Sequence, residues 1–386
     1  MSPLCYTHAG FLLFFEELHL GLSKPLARLL AWVMVALMEK TRAHLFRLAE
    51  KLPEDATQDR ARQQRLRRFL SNPRLAPIRF VAPLVHVLAP LIQGLGVVVL
   101  SLDRTEWIRR GVPVQVLSVA LSYEGRALPL YWEVNNRRGC TDLAAWKAVL
   151  TPVLEALRAA PWLQGKEIHL VADREFASPQ FSEWLWRTFR IGSTVRIKRS
   201  AYIATELTQT PAATYLRTLQ PGQQRILRHC TVTQSCEFQM NVAFYWEKGY
   251  KEPWILMTTS ATLPAAVRRY KQRWGSEPMH KDWKSNAFDI EGTRVTEARR
   301  IAALLIPIAL CQALCVLEGA RKEAAGETTQ AHKHQRTTSL FLEGLAAFTR
   351  ILRAATWHQI HAFLQRLFYG WRWPQKLKIL TQNQKC

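Results

Sequence analysis

The segment 97–199 constrains the fold most, because its hydrophobic pattern changes period several times along one stretch. Residues 97–102 form an apolar run of strand-forming types. Residues 114–122 and 127–134 alternate, and they flank Glu124-Gly125, a hairpin turn signal. Helical spacing follows over 141–160, with Thr141 as a candidate N-cap. A strand over 166–172 ends in Asp173, 178–190 is helical, and 193–198 is a further strand. The order β-β-β-α-β-α-β predicts an α/β sheet that starts with antiparallel hairpins and then takes helical crossovers.

The rest of the chain divides around this segment. Residues 1–96 read as an all-helical domain that binds DNA. Residues 97–199 are the first part of the core, and 200–260 read as a β-rich insertion, with short alternating runs at 239–246 and 254–259. Residues 261–320 complete the core, and 321–386 form a helical region with a Trp- and Lys-rich tail (Trp371, Trp373, Lys376, Lys378) and a possible role in dimerisation.

Charge narrows the partner. Lys+Arg number 53 against 30 Asp+Glu, a net +23, which points to a polyanion, either nucleic acid or an acidic membrane. Residues 80–102 carry no formal charge, but Pro83, Pro90, Gln93, Gly94 and Gly96 interrupt them, so short helices and a strand fit better than a membrane span. The apolar stretch 301–316 has only 16 residues and contains Pro307, and is expected to be a buried helix. The first apolar run, 11–15, lacks a preceding basic region, so no signal peptide is expected. Seven cysteines without framework spacing suit a reducing compartment. The expectation is a soluble, cytoplasmic protein whose partner is nucleic acid and not a membrane.

Residues 57–71 form a basic amphipathic helix in pattern, and 60–79 hold seven Arg and no acid. A solvated face is the simpler reading of a charge run, but the acids that would balance it are missing. Arg62, Arg65 and Arg68 are therefore candidate DNA contacts.

Two aspartates follow predicted strands: Asp103 after 97–102 and Asp173 after 166–172. In α/β sheets, sites form outside strand ends. One such Asp would be read as a cap; two in one sheet suggest a shared divalent cation, of which Mg²⁺ suits carboxylate oxygens. A third element spans 270–284. On a continuous helix, Tyr270, Arg273, Glu277 and Lys284 fall within a sector of about 60°. That face would offer a carboxylate to metal and Arg, Lys and a phenol to phosphates, although Pro278 disturbs it and Arg273–Glu277 could be an ordinary i,i+4 pair.

The spacing Tyr-x2-Arg-x3-Glu-x6-Lys at Tyr270, Arg273, Glu277 and Lys284 resembles the signature box of DDE transposases of the insertion-sequence 4 family. The run 102–107 resembles that family's first Asp motif. The run 171–176 resembles its second, where a Gly commonly stands in place of Glu175. The resemblance extends from the Arg-rich helix to about residue 320 and implies a ribonuclease-H-like mixed sheet with a β-rich insertion before the Glu, in keeping with the 104 residues from Asp173 to Glu277. It further implies a cut-and-paste transposase that dimerises on the terminal inverted repeats of its own element, joins them to target DNA and passes through a DNA hairpin. Asp103, Asp173 and Glu277 would hold two Mg²⁺ ions, with Mn²⁺ as a substitute, for in-line phosphodiester chemistry. Tyr270, Arg273 and Lys284 would grip phosphates, and Trp254 and Trp274 would receive a base flipped out at the hairpin. Two alternatives remain: a catalytically silent descendant that binds element ends or represses transposition, and a related nuclease without strand transfer.

Other signals read as structural. Cys311 and Cys315 are expected as buried thiols; His229, Cys230 and Cys236 lack a convincing fourth zinc ligand; 332–334 is expected as a solvated loop. Glu106 and Glu175 lie near the two Asp and could support them, but exposed loop acids are commoner.

Overall fold

The protein is described by a computed structural model over residues 3–39, 42–52, 59–206, 208–233, 236–328, 330–332, 335–336, 338–354 and 357–368. Six helices open it: α1 (Pro3–Glu17), α2 (Lys24–Met38), α3 (Leu45–Glu50), α4 (Asp59–Leu70), α5 (Val81–Val87) and α6 (Ala89–Gln93). α2 starts after Ser23 with Pro25 in its first turn, where a missing N–H costs nothing, and buries Leu26, Leu29, Leu30, Val33 and Leu37 at helical spacing. α4 buries Leu66, Phe69 and Leu70 against its neighbours and turns most of its arginines outward. Residues 57 and 58 of the expected helix lie outside the described residues. α5, α6 and the strand that follows account for the uncharged run 80–102.

The sheet begins with β1 (Val97–Arg109), β2 (Val112–Tyr123) and β3 (Arg126–Asn135), paired antiparallel. Their turns, Arg110-Gly111 and Glu124-Gly125, have positive φ at both residues (50° and 78°; 46° and 74°), the backbone that two-residue hairpins require. α7 (Leu143–Ala159) crosses to β4 (Glu167–Ala172), which runs parallel to β1. α8 (Pro179–Trp184) continues through a wide turn, Leu185–Phe189, to β5 (Gly192–Arg196), parallel to β4. Strand order and types match the expectation for this segment. Two details differ. β1 runs six residues past Asp103, because its pairing with β2 continues to Arg109. The N-cap of α7 is Asp142, whose carboxylate accepts from the Ala145 N–H at 2.8 Å, while Thr141 is engaged elsewhere.

β6 (Tyr202–Ala204), β7 (Gln209–Pro211), the short α9 (Ala212–Leu216), β8 (Gln224–Val232), β9 (Met240–Tyr245) and β10 (Trp254–Thr258) follow. These strands extend the same sheet beyond β5, in the order β3-β2-β1-β4-β5-β10-β9-β8-β6-β7. The architecture is thus mixed α/β around a ten-stranded mixed sheet.

After β10 come α10 (Leu263–Lys271), α11 (Ser276–Lys281), α12 (Ala298–Ala324), a hairpin of β11 (Gln330–His332) and β12 (Gln335–Arg336), α13 (Leu340–Ala354) and α14 (Trp357–Phe368). α12 is 27 residues, extending past both ends of the expected stretch 301–316, with Pro307 absorbed within it. It is long and apolar enough to cross a bilayer, yet its apolar stretch is wholly buried against α2, α13 and β3. Gly319 and Gly344 allow this contact: a Cβ on either would strike the backbone of the facing helix, at Leu340 and Cys315 respectively. Cys311 and Cys315 are fully buried there. β11 ends at His332; residues 333 and 334 of the loop expected at 332–334 lie outside the described residues, as does the tail with Trp371, Trp373, Lys376 and Lys378.

Candidate active site

The register of two parallel strands builds the centre of the site. β1 and β4 pair up to Leu102 opposite Ala172. The next residues, Asp103 and Asp173, therefore stand side by side, about 5 Å apart at the backbone. Asp103 lies inside its strand and not beyond it, whereas Asp173 does follow β4. Each carboxylate accepts the N–H of the next residue at 2.8 Å, from Arg104 and Arg174 respectively, so the two side chains are held in the same way.

The segment carrying Glu277 lies over this pair. It is not one helix. α10 gives way to a tighter turn at Gln272–Gly275 before α11 begins. Pro278 has no N–H to offer the carbonyl four residues back, which accounts for the break. The turn is pressed onto the hairpin end of β3: a Cβ on Gly275 would lie 2.6 Å from the Arg126 carbonyl carbon, so the position requires glycine. The buried Ser276 hydroxyl bonds Ser101 of β1 at 3.1 Å, two residues before Asp103 and on the same strand face. At the other end, Arg269 of α10 donates to Nδ1 of buried His169 at 3.0 Å, and to Ser260 and Glu167. The His169 Nε2 meets Thr194 at 2.8 Å.

Of the side chains expected on one face, Tyr270, Arg273 and Glu277 gather at the two aspartates. The buried Tyr270 hydroxyl donates to Asp173 at 3.4 Å. The buried Arg273 guanidinium lies between Asp103 (3.5 Å) and Glu277 (3.3 Å), and packs over the Tyr270 ring. Lys284 departs from the predicted sector. The break in the helix and the wide turn at Asp282–Asn286 send its ammonium to the Glu106 carbonyl at 2.8 Å and to Glu291, above the Trp107 ring.

Burial drives the Asp103 carboxyl up to about 6; Arg273 opposes this, and Asp173 and Glu277 reinforce it. Burial likewise drives the Tyr270 phenol up to about 12. These acids are the hard oxygen donors that Mg²⁺ or Mn²⁺ prefers, and Asp103 with Asp173 has the adjacency of a shared ion site. Arg273 pairs with both Asp103 and Glu277, and no group of three His, Cys, Asp or Glu among the described residues is gathered closely enough to hold an ion as it stands. The donor set fits a divalent ion, with Arg273 as the cation that now neutralises it.

An aromatic cluster adjoins Tyr270. Buried Trp254 meets Tyr270 edge-on at 5.1 Å and Trp274 at 5.3 Å. Trp274 is 38% exposed, and its ring stacks on Tyr250 at 6.2 Å and 11°. Tyr250 was not among the residues expected here. Its signal was an aromatic in the Lys-Gly-Tyr-Lys loop at 248–251, four residues before Trp254. Arg104 and Glu175 form an ion pair at 2.7 Å beside the two aspartates.

The N-terminal arginines separate. Arg65 and Arg68 are exposed, whereas Arg62 is half-buried and paired with Asp59. One turn of helix separates Arg62 from Asp59, so an i,i+3 pair forms and turns that side chain aside.

Residues 136–314, a little under half of the chain, match the family model described as the transposase DDE domain. The matched stretch includes Asp173, Trp254 and residues 270–284, and begins after Asp103. No curated protein matches the sequence.

Proposed function

We propose that this chain is a DNA transposase that cuts and joins the ends of its own insertion sequence. It would act as a homodimer on the terminal inverted repeats, pass through a hairpin intermediate, and join the ends to target DNA. The observation that carries the reading is the side-by-side placement of Asp103 and Asp173 beneath the segment bearing Glu277, in a chain similar to the transposase DDE domain. Asp103, Asp173 and Glu277 would hold two divalent ions, which when bound supply an activated water and stabilise the leaving oxygen.

The other side chains bind and position. Arg273 exchanges its carboxylate partners for a DNA phosphate, which its planar fork suits. Tyr270 holds Asp173 through its hydroxyl, and its high phenol pKa keeps that proton in place at neutral pH. Lys284 reaches a phosphate from the Glu106 edge of the site. Trp274, with Trp254 beneath it, offers a face to a base leaving the duplex, where stacking recovers about 1–3 kcal/mol. Outward-facing arginines of α4 contact the duplex backbone.

Incubation of the protein with Mg²⁺ and DNA carrying its element end tests the reading. Nicks followed by hairpin-capped ends are expected. Absence of any cleavage in Mg²⁺, or robust cleavage in EDTA, would contradict it.

A further inference from the structure

Glu175 stands where Gly is common in the family that the chain resembles, and it is not an idle loop acid. The Arg104 Nε donates to both of its oxygens, at 2.7 and 2.9 Å. The Thr141 N–H and hydroxyl add two longer bonds at 3.4 Å. Thr141 in turn accepts from the Trp146 indole at 2.8 Å, and the Trp146 ring packs edge-on to Phe176, the residue after Glu175. Arg104 also reaches Glu106 at 2.7 Å. Both Arg104 and Glu175 are mostly enclosed, with 16% and 19% of their side chains exposed.

The position of this pair is what gives it a consequence. Arg104 directly follows Asp103, and alternation along β1 sends its side chain to the opposite face of the sheet. Its own N–H bonds the Asp103 carboxylate. Glu175 lies in the tight turn after Asp173, a turn closed by the Arg174 N–H on the Asp173 carboxylate and the Phe176 N–H on the Asp173 carbonyl at 2.9 Å. The regular β1–β4 ladder ends at Leu102 and Ala172, one residue short of the two aspartates. Beyond that point no strand pairing between them fixes their spacing, and the Arg104–Glu175 bond spans the same gap from below.

We propose that Arg104 and Glu175 are positioning residues that set the separation of Asp103 and Asp173 for a shared divalent ion, and that Glu175 is this chain's own device for doing so. The proposal rests on the reading of these aspartates as metal-holding groups. Groups that orient ligating side chains commonly change metal affinity by about 10–100-fold when removed.

The test uses the full chain and Mn²⁺ alone. Free Mn²⁺ is followed by electron paramagnetic resonance for the wild type, Glu175→Ala and Glu175→Gln, with element-end binding and melting temperature measured on the same preparations. Glu175→Ala should raise the half-saturating Mn²⁺ about tenfold and leave DNA affinity unchanged. Glu175→Gln, which keeps an oxygen for the Arg104 Nε, should recover most of that loss. Wild-type Mn²⁺ affinity in Glu175→Ala overturns the clamp alone. So does a loss that Glu175→Gln fails to recover, or one that only tracks a lowered melting temperature. If the wild type itself takes up no Mn²⁺, the reading of the aspartates falls and the clamp falls with it.

Discussion

Truncating each of two neighbouring tryptophans should separate a packing role from a role on DNA. Trp254 is buried in a small apolar cluster with Leu256, Leu263, Val267 and Tyr270. Its ring touches four aromatic rings: Tyr245, Tyr250, Tyr270 and Trp274. Trp254→Ala removes a core aromatic and should cost about 3–5 kcal/mol of stability. It also loosens Tyr270 on Asp173, so nicking and hairpin formation should fall together. Trp274 is 38% exposed and packs on two rings, the edge-on Trp254 at 5.3 Å and the parallel Tyr250 at 6.2 Å. Trp274→Ala forfeits two ring contacts of about 0.5–1.5 kcal/mol each, less than the core truncation at Trp254 costs, so it moves the melting temperature less. If the ring receives a flipped base, losing about 1–3 kcal/mol of stacking lowers the hairpin step about 5- to 150-fold. The assay is a single-turnover time course of nicked and hairpin products, with calorimetry on the same samples. Hairpins at the wild-type rate from Trp274→Ala would refute the slot. An unchanged melting temperature for Trp254→Ala, with hairpins alone lost, would refute the assignment of Trp254 to packing.

Three further expectations follow from single features. Arg65→Gln and Arg68→Gln should each flatten the salt dependence of element-end binding by about one unit of log–log slope, whereas Arg62→Gln, already paired with Asp59, should change it little; equal effects at all three would contradict the division. Burial and a neighbouring cation hold His169 and His280 neutral, both pushed down to about 3. Their folded-state values are depressed, so stability is lost as pH falls through about 6.5, where the unfolded chain takes up protons. Between pH 7.5 and 5.5 the pair should cost about 3 kcal/mol in denaturant melts, and His169→Gln should remove about half of that pH-dependent loss; an identical loss in the variant would contradict it. Mg²⁺ and Mn²⁺ should support cleavage, while Ca²⁺, with longer and looser coordination, should support assembly only; efficient cleavage in Ca²⁺ would count against the geometry.

The alternation of period over 97–199 made the first five strands legible, because half-buried hairpins and crossover helices leave different apolar spacings. Glu124-Gly125 marked the hairpin between β2 and β3, whereas the turn at Arg110-Gly111 between β1 and β2 emerged only in the structure. The extension of β1 past Asp103 was hidden: Arg104, Glu106 and Arg109 look like loop residues, and become strand only because β2 pairs with them across the sheet. The destination of β6–β10 was also hidden, since alternation identifies a strand but not its neighbour. Helical spacing put Arg273 and Glu277 on one face, and only the family resemblance tied that face to Asp103; Lys284 could not be placed, because spacing arguments fail where Pro278 and a wide turn change the rise per residue. Partners distant in sequence, such as Arg104 with Glu175 and Ser276 with Ser101, leave no local trace at all.

The account depends most on three carboxylates acting on DNA together. Asp103→Ala, Asp173→Ala and Glu277→Ala, each assayed with Mg²⁺ on element-end DNA beside a gel shift of the same preparation, test that directly. Each variant should bind the end as the wild type does and produce neither nick nor hairpin. Wild-type nicking by any one of them, Glu277→Ala above all, would contradict the three-carboxylate site.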